Sequence, residues 1–223
     1  MKKILLNLFL ISTILPSESP STSIIDYTPI HKQTAATIAM QDYLLCFLGS
    51  KNVIDGKITV TEFEMLCKKK IADCLNNNSK IKKVILQGQS VAGFIVFYRM
   101  QEQSLELWKK NFESTGTPYE EEKLLTLMPY LKKTDSECEK FVKIEGLVVE
   151  KNCRRQGYAR ALLKDVEATI KEKWPTIKRI MLDVNELNEP AQKLYEAEGF
   201  TQSSFQPLQV RIVHGIQYEK NIE

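Results

Sequence analysis

Glu145-Gly-Leu-Val-Val-Glu-Lys-Asn-Cys-Arg-Arg-Gln-Gly-Tyr-Ala-Arg-Ala-Leu-Leu163 is the stretch that decides the fold of this chain. The apolar run Leu147-Val-Val149 predicts a strand, and the residues after Gly157 have the apolar spacing of an amphipathic helix. The first N–H groups of a helix lack partners within it and carry the positive end of its dipole. Gly157 lets an anion approach the backbone, and Arg154 and Arg155 add positive charge. The stretch therefore predicts a phosphate-binding turn between a strand and a helix.

A second stretch follows after one further helix and strand. Leu182-Asp-Val-Asn-Glu-Leu-Asn-Glu-Pro-Ala-Gln-Lys-Leu-Tyr-Glu-Ala-Glu-Gly-Phe200 begins as a strand and continues as a helix. Asn188 is a suitable N-cap, Pro190 fits the first helical turn, and Gly199 is suited to end the helix.

The two stretches together resemble one known family. Arg154-x-x-Gly157-x-Ala159 resembles the pyrophosphate-binding motif of the GNAT superfamily, the acyl-CoA-dependent N-acyltransferases. The second stretch, with Asn188, Tyr195 and a closing Gly-Phe, looks like the next block of that superfamily. The close resemblance covers about residues 141–200. It implies an α/β (α+β) fold: a mixed, mostly antiparallel sheet of about six to seven strands, flanked by helices, whose two central strands splay to admit the acyl-CoA arm.

The resemblance also implies where acetyl-CoA, as co-substrate, would bind. The strand before the turn would pair with the pantetheine arm and the thioester carbonyl, and the turn amides would hold the pyrophosphate. Asn188 would contact the CoA arm, although its capping position explains it equally well. The candidate CoA-binding residues are Leu147, Val148, Val149, Arg154, Arg155, Gln156, Gly157, Tyr158, Ala159, Arg160 and Asn188.

Acyl transfer to an amine also requires a group that protonates the departing thiolate. Tyr195 stands where the superfamily commonly places this acid, and a phenol, which titrates near ~10, suits a thiolate of similar basicity. The alternative is a core tyrosine that packs against the sheet.

Two carboxylates are candidates for the base that takes the proton from the amine. Period-two alternation places Glu145 on the same strand face as Leu147 and Val149, among apolar neighbours, which suits a general base. Asp183 lies on the neighbouring strand and matches a base position found in some members of the superfamily. Either acid is also compatible with a structural role or with binding a cationic amine.

Composition excludes several other functions. Lys and Arg exceed Asp and Glu by 31 to 28, a net charge of +3 that gives no argument for nucleic acid. Five cysteines without a Cys-x-x-Cys pair, and two histidines, offer no metal-ligand spacing. Cys67 and Cys74 are expected to pack on one helix face as small apolar groups.

The N-terminal segment 1–22 resembles a signal peptide. Met1-Lys-Lys3 precedes an apolar run, Ile4 to Leu15, that is too short for a stable membrane span. The sequence is compatible with two outcomes. Either the segment is cleaved and the protein is exported, or the leader is retained in a cytoplasmic enzyme that is supplied with acetyl-CoA.

Residues 23–223 are expected to form a single domain. Within it, the segment 101–140 is longer than an ordinary connection between two secondary-structure elements. It therefore predicts a helical insertion, either a lid or a plain packing element. Strands are expected over 24–30, 81–87, 91–100, 141–149, 177–184, 200–205 and 209–220, and helices over 32–48, 61–76, 157–173 and from Asn188 to Gly199.

The sequence thus predicts an acetyl-CoA-dependent N-acetyltransferase in which the amine attacks the thioester directly in a ternary complex. The acceptor, a small molecule or a protein amine, and the oligomeric state are not predicted. The alternative is a catalytically inactive CoA-binding or interaction module, such as an exported effector.

Overall fold

A computed structural model describes residues 21–47, 59–101, 139–203 and 215–223. The predicted signal-like segment and the predicted helical insertion lie almost entirely outside these ranges. The strands are β1 (Thr22–Asp26), β2 (Ile81–Gln87), β3 (Ser90–Gln101), β4 (Lys140–Val149), β5 (Arg179–Asn185), β6 (Thr201–Gln202) and β7 (Gly215–Asn221). The helices are α1 (Lys32–Phe47), α2 (Val60–Asn76), α3 (Tyr158–Lys173) and α4 (Glu189–Ala197).

The strands form one sheet in the order β1-β2-β3-β4-β5-β7-β6. Every neighbouring pair is antiparallel except β4 and β5, which are parallel. The expected mixed, mostly antiparallel sheet is therefore confirmed, with seven strands in the described ranges.

The parallel pair at the centre of the sheet separates early. Only Val142–Ile144 pair with Ile180–Leu182, although β4 continues to Val149 and β5 to Asn185. Beyond this point β4 pairs with β3 alone, and β5 pairs with β7 alone. The expected splay of the central strands is thus present, and it leaves one edge of β4 without a strand partner.

Apolar clusters cover both faces of the sheet. On the face that we call the α3–α4 face, Leu162, Val166 and Ile170 of α3 pack on Ile144 and Leu182. On the opposite face, which we call the α1–α2 face, residues of α1 and α2 pack on β2, β3 and the end of β4. This second cluster contains Ala35, Ile38, Ala39, Ile71, Leu75, Val84, Val91, Phe94, Val96 and Val148.

Local sequence signals set the ends of several elements. Thr59 and Glu62 form a capping box at the start of α2. The φ angle of Gly199 is 83°, as a residue that ends a helix in the left-handed conformation requires. Cys67 is buried, and Cys74 packs against the α1–α2 cluster. Among the described helices, none combines the length and apolar content needed to cross a membrane.

Candidate active site

The turn between β4 and α3 contains two residues in the left-handed region. After the short 3-10 helix Lys151–Cys153, the φ angle of Arg155 is 64° and that of Gly157 is 83°. A non-glycine residue in this region bears strain of about 1–2 kcal/mol, and such strain concentrates at functional sites. Left-handed residues in a turn direct successive N–H groups into an anion-binding concavity. The backbone thus has the shape that the sequence predicted for a phosphate site.

The N-terminus of α3 is open to a ligand. Gly157 is its N-cap and supplies no side-chain cap, and the first turn of the helix contains no acidic residue. A Cβ added to Gly157 would meet no heavy atom within 4 Å. The first-turn N–H groups of α3, which include those of Tyr158, Ala159 and Arg160, are therefore available to an anion together with the helix dipole.

The side chains of the turn are mostly held by the protein itself. Arg154 Nε donates to the carbonyl oxygen of Val149 at 3.1 Å. Arg160 forms an ion pair with Glu198. Tyr158 is buried in the apolar cluster of the α3–α4 face. The backbone amides and the Arg155 side chain are thus the groups best placed to meet a phosphate. The other predicted side chains just described, Arg154, Tyr158 and Arg160, are engaged by the protein itself.

Gln156 turns back toward the sheet. Its Oε1 accepts from Gln87 Nε2 of β2 at 3.4 Å, and its Nε2 donates to the carbonyl oxygen of Asn152 at 3.4 Å. These contacts link the turn to the end of β2 and fix the shape of the loop.

Leu147, Val148 and Val149 lie on the part of β4 that has separated from β5. Leu147 and Val149 pack against the cluster of the α3–α4 face, whereas Val148 belongs to the α1–α2 cluster. An extended ligand arm can pair with the exposed edge of a strand in the manner of an added strand. This edge leads directly into the open N-terminus of α3.

The expectation that Glu145 shares a face with Leu147 and Val149 is wrong. Val96 pairs with Gly146 and Phe97 with Ile144, so Glu145 is the extra residue of a β-bulge. A bulge breaks the period-two alternation and redirects the side chain. The carboxylate of Glu145 therefore reaches the α1–α2 face instead.

Glu145 is held there by two groups from distant parts of the chain. Its Oε2 forms an ion pair with Lys80 and accepts a hydrogen bond from the Cys74 thiol at 3.3 Å. Burial opposes the charge of Lys80, but the hydrogen bond and charge of Glu145 outweigh it and raise the pKa of Lys80. Burial, followed by the negative charge of Glu145, raises the pKa of Cys74 to about 12. The carboxylate is therefore met by a protonated amine and a neutral thiol.

Asp183 lies one residue beyond the last pair of β4 with β5 and also faces the α1–α2 side. Its Oδ1 is 2.7 Å from Lys143 Nζ and accepts from Gln217 Nε2 at 3.3 Å. Lys143 and Gln217 are 8% and 6% exposed. A row of polar side chains thus crosses β4, β5 and β7 where the central strands separate. Both candidate bases, Glu145 and Asp183, therefore lie on one face of the sheet beside the gap between β4 and β5.

Tyr195 lies on the other face of the sheet. It is 7% exposed, in the apolar cluster of the α3–α4 face, with its ring centroid 5.7 Å from Phe200 and 6.2 Å from Tyr218. Asn188 caps α4, its Oδ1 accepting from the N–H of Ala191 at 3.3 Å. The candidate acid and the two candidate bases thus flank the separated strands from opposite faces.

Sequence reasoning missed the partners of both carboxylates. Strand pairing brings Lys143 of β4 and Gln217 of β7 to Asp183. Cys74, on α2, and Lys80, just before β2, reach Glu145 through the packing of α2 on the sheet and the order of its strands. No local motif marks any of these four partners. Within the described ranges, His, Cys, Asp and Glu side chains form no group of three that could hold a metal ion.

Comparison with known proteins extends these observations. The sequence model of the acetyltransferase (GNAT) family matches residues 57–200, well over half of the chain. No curated protein sequence matches the chain.

Solved structures share the fold at low sequence identity. Arabidopsis thaliana NAA60 in complex with a bisubstrate analogue has a TM-score of 0.56 at 14% identity, over 91% of this chain and 100% of that one. The PaiA N-acetyltransferase of Thermoplasma acidophilum in complex with coenzyme A has a TM-score of 0.53 at 14% identity, over 90% and 99%. The ribosomal-protein-S18-alanine N-acetyltransferase of Escherichia coli has a TM-score of 0.51 at 14% identity, over 91% and 94%.

Proposed function

The chain belongs to the acetyltransferase (GNAT) family, and on that basis we propose that it transfers the acetyl group of acetyl-CoA to a primary amine. One observation carries the proposal: the open N-terminus of α3 directly follows the part of β4 that has separated from β5. A ligand with a diphosphate at one end and an extended arm at the other matches this arrangement.

The turn would bind the diphosphate of acetyl-CoA. The first-turn amides of α3 and the left-handed turn at Arg155 and Gly157 supply donors, and the helix dipole favours the negative charge. The complexes of related folds with coenzyme A and with a bisubstrate analogue support this assignment.

The thioester would lie between the separated strands, where the edge of β4 can donate to its carbonyl oxygen. In a ternary complex the amine nitrogen forms a bond to the carbonyl carbon, the C–S bond breaks, and the thiolate accepts a proton from Tyr195. Orienting the two reactants supplies much of the rate enhancement, and donors aimed at the carbonyl oxygen stabilise the charge that develops there.

The opposite placement of acid and base fits direct attack. An amine that arrives from the α1–α2 face would meet Glu145 or Asp183, and the sulfur would depart toward the α3–α4 face, where Tyr195 packs. Each carboxylate is already ion-paired, to Lys80 or to Lys143, so the base must accept the proton while keeping or exchanging its lysine partner.

The same ion pairs favour a second candidate function, a CoA-binding module without turnover. Glu145 and Asp183 are each already engaged by a lysine, and Tyr195 has the burial of a core residue.

A thiol-release assay with acetyl-CoA and a panel of amines separates the two candidates. The proposed enzyme releases coenzyme A in an amine-dependent manner, and mass spectrometry finds one acetyl group on the acceptor. Binding of coenzyme A without amine-dependent release would instead establish the binding module.

A further inference from the structure

Lys80 and Cys74 both contact the same oxygen of Glu145, one of the two candidate bases. Lys80 Nζ forms its ion pair with Oε2, and the thiol of Cys74 donates to Oε2 at 3.3 Å. Oε1 makes no hydrogen bond to the residues that the structure describes, and it is not among their fully buried atoms that lack a partner. The Glu145 side chain is 21% exposed, so one oxygen is anchored by the protein and the other is open.

The Lys80 side chain is itself held in place. Its Nζ lies 4.9 Å from the ring centroid of Tyr98 on β3, within the range of a cation–π contact, and the side chain is 14% exposed. Its backbone N–H donates to the carbonyl oxygen of Asn77 at 3.3 Å, in the turn between α2 and β2. The ammonium is therefore a preorganised anchor for the carboxylate of Glu145.

Glu145 lies at the start of the gap between β4 and β5. Ile144 and Leu182 form the last pair of the two strands, and Glu145 is the next residue of β4. The β-bulge leaves Glu145 without a directly opposite residue on β3. The contacts from α2 and from the start of β2 therefore determine where its carboxylate lies.

These contacts explain how an ion-paired carboxylate can accept a proton from the amine. Both donors bond to Oε2, so Oε1 can take up a proton while Lys80 and Cys74 stay in place. The amine nitrogen bonds to the carbonyl carbon and gives its proton to Oε1, the C–S bond breaks, and the thiolate takes the proton of Tyr195. The proton gained at Oε1 balances the one lost from Tyr195, and exchange with water restores both groups.

We propose that Lys80 is a positioning residue for acetyl transfer: together with Cys74 it anchors Glu145 Oε2 and so presents Oε1 to the amine. This inference rests on the proposed function and deepens it. It selects Glu145 over Asp183 as the base, and it assigns a role to a lysine that touches neither reactant. The thiol of Cys74, a weak donor, supplies the lesser of the two contacts.

A comparison of single and double variants tests whether Lys80 acts through Glu145. The assay is thiol release from acetyl-CoA with the amine of the panel that reacts fastest. Glu145→Gln removes the base and should lower kcat by about 10²-fold or more. Lys80→Met removes the anchor and should lower kcat by about 10- to 100-fold, as a misplaced catalytic group does, with KM and coenzyme A binding retained. In the Glu145→Gln protein, Lys80→Met should lower kcat no further, because the carboxylate that it positions is already absent.

Lys82→Met is the matched control. Lys82 also lies near a tyrosine, with its Nζ 5.8 Å from the ring centroid of Tyr27, but it donates to the carbonyl oxygen of Asn77 at 2.7 Å and not to Glu145. This variant should keep the wild-type kcat.

Cys74→Val tests the second contact and serves if Lys80→Met does not fold. It removes the thiol donor and should lower kcat less than Lys80→Met does. This loss should also disappear in the Glu145→Gln protein, because the thiol acts on the same oxygen.

The outcomes distinguish this inference from the proposed function. An unchanged or higher kcat in Lys80→Met, a full kcat in Glu145→Gln, or losses that multiply in the double variant would each overturn the role of Lys80. Thiol release by the wild type would uphold the proposed function in all three cases. Absence of thiol release with every amine would overturn both.

Discussion

Lys143 Nζ lies 2.7 Å from Asp183 Oδ1, so an ion pair joins β4 to β5 at the point where their backbone pairing ends. Lys143 is 8% exposed, and its charge has little access to water. The pair therefore lies at the end of the gap between β4 and β5 that we assign to the thioester. One of its members, Asp183, is a candidate base.

Asp183→Asn removes the carboxylate that pairs with the buried ammonium of Lys143. Removing one member of a buried ion pair destabilises a protein by roughly 3–5 kcal/mol, and the double variant Lys143→Met with Asp183→Asn should recover much of this loss. Urea denaturation measures both effects. Turnover should remain low in the double variant if Asp183 is the base, whereas recovery of turnover together with stability would assign Asp183 a structural role only.

Gly157→Ala tests the phosphate turn. The alanine must adopt a φ angle of 83°, at a cost of about 1–2 kcal/mol, and its methyl group occupies the open space that we assign to the phosphate. Coenzyme A affinity, measured by calorimetry, should fall by about tenfold or more, since a hydrogen bond to a charged group contributes about 1.5–3 kcal/mol.

Gly88→Ala is the matched control for this change. Gly88, in the β2–β3 turn, has a φ angle of 62° and equally open surroundings. Both variants should lower the melting temperature, but only Gly157→Ala should weaken binding. Equal effects on binding would argue against a phosphate at the α3 N-terminus.

Tyr195→Phe tests the proposed acid. The phenyl ring preserves the packing against Phe200 and Tyr218, so we expect coenzyme A affinity to change little. Turnover should fall about 10²–10⁴-fold, the usual contribution of a general acid. Unchanged turnover in the phenylalanine variant would make Tyr195 a packing residue.

Because the pKa of the Cys74 thiol is raised in the folded protein, we expect the protein to become less stable at alkaline pH. Burial and the charge of Glu145 raise its pKa from 9.0 to about 12, so the folded state keeps the thiol proton after the unfolded state has lost it. This contribution is complete below pH 9.0 and declines as the pH rises toward 12.

Denaturant titrations across that pH range measure the slope. Cys74→Ala should give a shallower decline, with a remainder from Cys67, whose pKa burial raises to about 11. An identical slope in wild type and variant would show that Cys74 ionises freely in the folded protein.

The sequence predicts the elements of this fold well because their signals are local. The apolar stripe of α3, the Asn188 cap and the Gly199 stop each depend on residues within a few positions of one another, and each is found where expected. The phosphate turn is of the same kind, since a strand, a glycine and a helix follow in direct succession.

The surroundings of the carboxylates could not be predicted in this way. Glu145 turns to the α1–α2 face because β3 and β4 form a bulge, and alternation along β4 alone gives no sign of it. Its partner Lys80 is 65 positions away, and Gln217 is 34 positions from Asp183. Such contacts arise from strand order, which only the folded chain reveals.

A crystal structure of the protein with coenzyme A would show whether the turn before α3 and the gap between β4 and β5 bind the cofactor. We expect the diphosphate to accept hydrogen bonds from the first-turn amides of α3, and the pantetheine arm to extend between β4 and β5 with its sulfur near Tyr195. A diphosphate bound elsewhere, or a gap between these strands filled by the protein's own side chains, would contradict it.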